Sequence, residues 1–142
     1  MNSNVPMTTR NPLVAAIAPS NQAAGAQSTG WISVADYFNF MALVNVGALG
    51  TSGTVDAKIE QAQDSSGTGA KDVTGKAITQ IAAANKTAAL DINQNDIDVT
   101  NGFTHIRLTI TVGTAACDTA ATVIGAYARY EKPANNQADE VV

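Results

Sequence analysis

The most constraining feature of the sequence is a ten-residue run, 103–112 (FTHIRLTITV), in which apolar and polar side chains alternate almost without exception. Asn101 and Gly102 precede it and favour a turn, because both residue types adopt left-handed backbone conformations. Side chains of a strand point alternately to its two faces. The predicted core face carries Thr104, Ile106, Leu108, Ile110 and Val112. The other face, predicted to meet solvent or a partner, carries Phe103, His105, Arg107, Thr109 and Thr111.

Similar short segments recur along the chain and predict an all-β protein. Residues 54–64 (TVDAKIEQAQD) alternate cleanly, and 122–131 (TVIGAYARYE) are predicted as the last strand. Ile78 and Ile81, three residues apart, would also fit a helical turn, but a turn at Asn85 and Lys86 favours two short strands, 77–82 and 88–92. The apolar run 39–49 (NFMALVNVGAL) fits a strand buried on both faces or the start of a short helix. Turns every 8 to 12 residues favour an antiparallel β-sandwich or jelly roll with extended N- and C-terminal arms.

Breaker residues suggest three regions. Residues 1–30 are polar and interrupted by Pro6, Pro12 and Pro19, so they are predicted as an N-terminal arm in which only 13–17 could pair as a strand. The β-sandwich domain is predicted to span 31–130. Residues 131–142, which begin just before Pro133, are predicted as a C-terminal tail.

Composition excludes several function classes. The net charge is −4, which argues against nonspecific nucleic-acid binding because such binding needs a basic surface. Charged residues make up 14% of the chain, well below the roughly 25% of an average domain. This low fraction predicts a surface on which few charges lose their water when it contacts another protein. No apolar run reaches the ~18 residues of a membrane span, and none has the form of a signal peptide. We expect no membrane partner and synthesis in the cytoplasm.

No group of residues has the pattern of a catalytic or metal site. His105 and Arg107 share a strand face but lack a recognisable acid–base partner, and the single cysteine, Cys117, can form no intrachain disulfide. The acidic segment 91–98 (DINQNDID) resembles a calcium loop but lacks its central Gly and closing Glu. Trp31 and Tyr37 could form a sugar-stacking platform, although a lone Trp more often anchors a core. We therefore predict no catalytic, cofactor-binding or metal residues, no cofactor and no enzymatic activity.

The order of motifs resembles that of small structural proteins of tailed bacteriophages. The resemblance runs through GWISVADYFNFMALVNVGALG (30–50), DAKIEQAQDSSGTGAKDV (56–73), FTHIRLTITVG (103–113) and VIGAYARY (123–130). It implies a capsid decoration, cement or minor head protein that binds the major capsid protein on the virion surface, with a tail or neck protein as an alternative. A small sandwich of this kind predicts a homo-oligomer, with a trimer favoured. A carbohydrate-binding jelly-roll module is the alternative from another class.

Overall fold

The computed structural model describes residues 5–129 and 137–142, and nearly all regular structure in them is strand. One short helix, α1 (Met7–Arg10), precedes the strands. Two 3₁₀ turns, Gln94–Asp96 and Val99–Asn101, connect β7 to β8. The strands are β1 (Leu13–Gln22), β2 (Gly25–Ser28), β3 (Ile32–Ser33), β4 (Tyr37–Leu49), β5 (Thr54–Ala62), β6 (Lys71–Ala77), β7 (Lys86–Asn93), β8 (His105–Gly113) and β9 (Cys117–Ala128).

The strands form two antiparallel sheets, so the predicted β-sandwich is confirmed. Sheet A has the order β1-β9-β4-β7, and sheet B has the order β2-β8-β5-β6, with β3 also paired to β8. In each sheet the two central strands come from distant parts of the chain, as in β4 with β9 and β5 with β8. No helix in the described residues is long and apolar enough to cross a membrane.

The core lies between the sheets and is built from alternate residues of the central strands. Val55, Leu108 and Ile110 are fully buried. Sheet A contributes the inward residues of β4 and β9, which include Ala42, Val44, Val46, Cys117, Ala121 and Val123. Each strand therefore has an inner set of buried side chains and an outer set that remains accessible, as period-2 alternation requires.

The predicted boundary at residue 31 is wrong, because residues from the presumed N-terminal arm belong to both sheets. β1 pairs with β9 from Leu13 to Gln22 with two register shifts, and β2 pairs with four residues of β8. The strand expected over 13–17 continues to Gln22 through Pro19, where the register shifts. Pro is compatible with this position because β1 is an edge strand and needs no outward-facing amide. The prediction for the tail falls partly on residues 130–136, outside the described residues, and the amide of Gln137 donates to the carbonyl of Leu13.

Strand predictions in the middle of the chain are only partly correct. The run 39–49 lies in β4, so the strand interpretation holds and the helix does not. The predicted strand 88–92 lies within β7. The predicted strand 77–82 is wrong: β6 ends at Ala77, and only Ile81 forms an isolated bridge, to Val55. Ile78 and Ile81, three residues apart, pack against the core from the connection between β6 and β7, and their amides donate to the carbonyls of Ala57 and Val55 in β5.

In β8 the predicted core face is correct for Ile106, Leu108, Ile110 and Val112, all at most 2% exposed. Thr104 is exposed and Phe103 is buried, which reverses the prediction because both precede the first residue of β8. Thr109 is buried although it points outward. Its hydroxyl lies between the side chains of Ser28 and Glu60. Residues from two neighbouring strands therefore cover a position that alternation alone places in solvent.

Candidate interaction surface

His105 and Arg107 do not form a catalytic pair. The Nε of Arg107 donates to Oε2 of Glu60 at 2.7 Å, and the guanidinium stacks on the Trp31 ring with 4.5 Å between its carbon and the ring centroid. Glu60 and Arg107 are directly opposite in the β5–β8 ladder. Nδ1 of His105 lies 2.9 Å from the hydroxyl of Thr104 instead. Arg107 is thus engaged in an ion pair and a cation–π contact that hold sheet B together.

Glu60 is the centre of this arrangement. Its Oε2 also accepts a hydrogen bond from the Thr109 hydroxyl at 2.6 Å, and its Oε1 lies 3.6 Å from Nζ of Lys58. Burial by itself raises the pKa of the Glu60 carboxyl, but the hydrogen bonds from Thr109 and Arg107 and the two neighbouring positive charges outweigh it. The net direction of the pKa is downward, so Glu60 remains charged in the folded protein and is fully used by its partners.

The other carboxylates near this face also have partners within the chain, and Asp56 accepts a hydrogen bond from Nε2 of Gln80 at 2.8 Å. Lys58 contacts Asp72, Lys71 contacts Asp98 and Lys76 contacts Asp96, with N–O distances of 2.7, 2.7 and 3.1 Å. The hydrogen bond from Lys71 lowers the pKa of Asp98. In the acidic segment that resembles a calcium loop, Asp96 and Asp98 are therefore each paired with a different lysine. Among the described residues, no group of three or more His, Cys, Asp or Glu side chains could hold a metal ion.

The other candidate residues from the sequence, Cys117, Trp31 and Tyr37, pack within the fold. Cys117 is fully buried at the start of β9, and a Cβ added at Gly53 would lie 2.7 Å from its sulfur. Tyr37 is 4% exposed and packs edge-to-face on Phe40 at 5.9 Å. Trp31 is engaged by Arg107 on one side and by the turn at Gly67 on another. Trp31 and Tyr37 both line a pocket of about 420 Å³, but the burial of Tyr37 leaves no ring face open, so the two do not form a common stacking platform.

A different surface is the best candidate for function: the outer face of sheet A. Strand register places its side chains in adjacent rows, because directly paired residues of antiparallel strands lie side by side. One row consists of Leu13, Ile124, Met41 and Asp91, the next of Ala16, Thr122, Leu43 and Ala89, and a third of Ala120, Asn45 and Thr87. The residues of the central strands are half-buried except Asn45, which is exposed like those of β7.

A groove of about 660 Å³ lies at one end of this face. Met7 of α1, Met41 and Ile124 line it, together with Tyr127. Met7 is 68% exposed and Tyr127 is 73% exposed. Tyr127 has a φ of 54°, an uncommon conformation for a bulky residue, and it comes just before the end of β9. Flexible Met side chains and an exposed Tyr are typical of protein-binding surfaces.

Charge separates this surface from the outer face of sheet B. The three rows, together with a next row at Gly47 and Asp118, contain two charged residues, Asp91 and Asp118. Asp118 accepts a hydrogen bond from the side chain of Asn21 at 2.8 Å. The sequence pattern alone did not predict this face. The available signal was the run 39–49, in which most residues are apolar on both sides of the strand. One set of alternate residues forms the core, and the other set forms the outer face.

No protein-family model matches the chain, and no curated protein matches it. Among solved structures, the chain is similar to a chain of the Cowpea Mosaic Virus empty virus-like particle, with 10% identity, a TM-score of 0.47, and coverage of 94% of this chain and 90% of that one. A chain of infectious bursal disease virus, Gx strain, has 13% identity and a TM-score of 0.44 over 89% of this chain and 33% of its own length. A Bacillus endospore appendage chain has 18% identity and a TM-score of 0.36 over 89% and 99%. Likenesses this distant assign no function to this chain.

Proposed function

We propose that this chain is a structural virion protein, a decoration protein that binds and stabilises the capsid of a tailed bacteriophage through the outer face of sheet A. The observation that carries the proposal is the nearly charge-free outer face of sheet A. The charges on the outer face of sheet B, by contrast, have partners within the chain. The resemblance of the order of sequence motifs to that of phage structural proteins supports the choice of partner class. The proposed partner is the major capsid protein, and the proposal includes no catalytic activity.

The physical argument rests on desolvation. A contiguous exposed apolar face is a typical site of protein association. Removing water from Met41, Leu43, Ile124 and the alanines buries no charge, whereas removing water from a lone carboxylate or ammonium is costly. Asp91 is exposed on the edge strand β7, so the proposed contact leaves it at the rim or meets it with a donor. Amide and hydroxyl groups such as those of Asn45 and Thr87 can form the few directional hydrogen bonds that an interface needs. The face therefore suits a broad, permanent contact with protein.

The proposed role is stabilisation of a shell that assembles without this protein. A ligand that binds only the assembled lattice shifts the equilibrium toward that lattice by mass action. We expect the proposed decoration protein to be present in many copies per particle, on the shell surface.

The test is reconstitution on particles that lack the protein. Particles from a phage deleted for this gene should assemble with normal dimensions but rupture at a lower temperature, and purified full-length chain should restore both occupancy and rupture temperature. Cryo-electron microscopy of restored particles would show which face contacts the shell. Binding confined to the tail or neck, or failure of shells to assemble without the chain, would contradict the proposal.

A further inference from the structure

The four edge strands of the sandwich differ in how they are protected from pairing with another chain. Edges are commonly blocked by bulges, Pro, Lys or short length. β1 contains Pro19 and two register shifts. β2 has four residues. β6 contains Lys71, Lys76 and a shift in its pairing with β5, and Gly75 there has a φ of 76°. Three of the four edges therefore have recognisable protection.

The fourth edge, β7, has no bulge, no Pro and no short length, and its one Lys, Lys86, is its first residue. All eight of its residues pair with β4 in an uninterrupted register, from Asn39–Asn93 to Val46–Lys86. The sequence of β7, KTAALDIN, contains no Pro and no Gly, and its charged residues are Lys86 at the start and Asp91. A regular strand of this length at an open edge is a template for strand addition.

The hydrogen-bonding groups along this edge face away from β4. The amide of Asn85 donates to the carbonyl of Gly47 at 3.0 Å. Because the hydrogen-bonded pairs of an antiparallel ladder alternate, the backbone groups of Lys86, Ala88, Leu90 and Ile92 point to the other side. In the described part of the chain β7 is the last strand of its sheet, so no strand satisfies these groups.

We propose that β7 pairs antiparallel with β7 of a second copy of this chain, so that the two copies of sheet A join into one eight-stranded sheet. Residue Ala89 lies on the twofold axis in this arrangement. Ala88 then faces the partner's Leu90 in a hydrogen-bonded pair that continues the core on the inner side. An isologous contact of this kind closes on itself and needs only one type of surface.

Side-chain chemistry favours this register. On the outer side, Ala89 meets the partner's Ala89, and these small side chains permit close approach. Thr87 meets the partner's Asp91, and its hydroxyl can donate to that carboxylate, twice per dimer. Like charges are not placed opposite each other, which would destabilise the pair. A twofold dimer differs from the trimer that the sequence favours, and it would present two outer faces of sheet A side by side.

This inference does not depend on the proposed function, and cysteine cross-linking tests it directly. Non-hydrogen-bonded partners in an antiparallel pair have Cα atoms about 4.5 Å apart, within the range that a disulfide spans. Full-length Ala89→Cys should therefore form a covalent dimer under mild oxidation. Thr87→Cys is the matched control: its two copies would lie four positions apart across the axis and should not cross-link. Cys117 is buried and should not interfere.

A second experiment measures association without a new cysteine. Ala88→Pro removes an amide that faces the partner and no hydrogen bond within the chain, and Ala89→Lys places two ammonium groups against each other. Sedimentation analysis should find a dimer for the full-length chain and at least tenfold weaker association for both variants, with unchanged circular dichroism. Thr111→Lys, on the exposed side of sheet B, should dimerise normally. A full-length chain that remains monomeric, equal cross-linking at residues 87 and 89, or unaffected association of both variants would overturn the proposal.

Discussion

The two outer faces of the sandwich are built by the same rule of alternation but have opposite electrostatic character. On sheet B, Glu60, Arg107, Lys58 and Asp72 form a connected set of ion pairs. On sheet A, the equivalent outward positions of the central strands are Met41, Leu43, Thr122 and Ile124. The charges of sheet B are satisfied within the chain, whereas the side chains of sheet A gain from covering by another protein. The comparison indicates that one face stabilises the fold and the other is available for binding.

The largest expected effect follows from adding one charge to each face. Thr122→Lys places an ammonium at the centre of the outer face of sheet A, on β9 and opposite Leu43. Because burying an unpaired charge costs several kcal/mol, attachment to particles should weaken on the order of tenfold or more.

The matched control for this variant is Thr111→Lys, an exposed position on the central strand of sheet B. Attachment measured by co-sedimentation with particles should be unchanged for the control, and thermal unfolding should be similar for both proteins. Equal loss of attachment for the two variants would remove the functional distinction between the faces.

The next effect concerns the stability supplied by sheet B. Glu60→Gln removes the charge that accepts hydrogen bonds from Arg107 and Thr109, and it should lower the free energy of unfolding by about 1–2 kcal/mol at pH 7. The folded-state pKa of Glu60 is lowered, so its contribution is complete above the unfolded-state pKa of about 4.3 and is lost as pH falls through the folded-state value. The difference between wild type and variant should therefore shrink below about pH 4, as measured by urea unfolding.

Asp72→Asn is the control for Glu60→Gln, because the Asp72 side chain is 63% exposed in its pair with Lys58. An exposed ion pair contributes about 0–1 kcal/mol, so this variant should change stability by no more than about 0.5 kcal/mol. A cost equal to that of Glu60→Gln would show that the degree of burial does not distinguish the two pairs.

A smaller effect separates two threonines on the same side of β8. Thr109 is 5% exposed and its hydroxyl donates to Glu60, so Thr109→Ala should cost about 1 kcal/mol in unfolding free energy. Thr111, two residues along, is exposed, and Thr111→Ala should be nearly neutral. Similar costs for the two substitutions would show that the Glu60 network does not extend to Thr109.

The smallest expected effect is that of salt on attachment. Screening weakens interactions between charges and leaves apolar contacts intact. If the nearly neutral face of sheet A makes the contact, raising the salt concentration from ~0.1 to ~1 M should change affinity for particles by less than about threefold. A steep decrease in affinity would point to the charged face of sheet B as the contact surface.

Individual strands were predictable where a clear alternation and a turn signal coincide. This holds for β5, for β8 from Ile106 onward, and for β7, whose residues 88–92 were identified. It failed where segments were judged by composition alone. The second half of β1, residues 18–22, and all of β2 belong to the sandwich because β9 and β8 offer them open edges to pair with. The absence of a recognisable catalytic pattern was a prediction from the sequence and remains one.

Alternation is a local property, so the sequence by itself determined that this chain forms strands and which side chains of each clear strand point the same way. Tertiary structure decided what those side chains meet. Thr109 is covered by Ser28, 81 residues earlier in the chain, and Arg107 is paired with Glu60, 47 residues away. The same long-range pairing leaves the outward residues of β4 and β9 uncovered and β7 at an open edge. Contacts between strands far apart in sequence are not encoded in the pattern of any one strand, because each strand pattern is compatible with many neighbours.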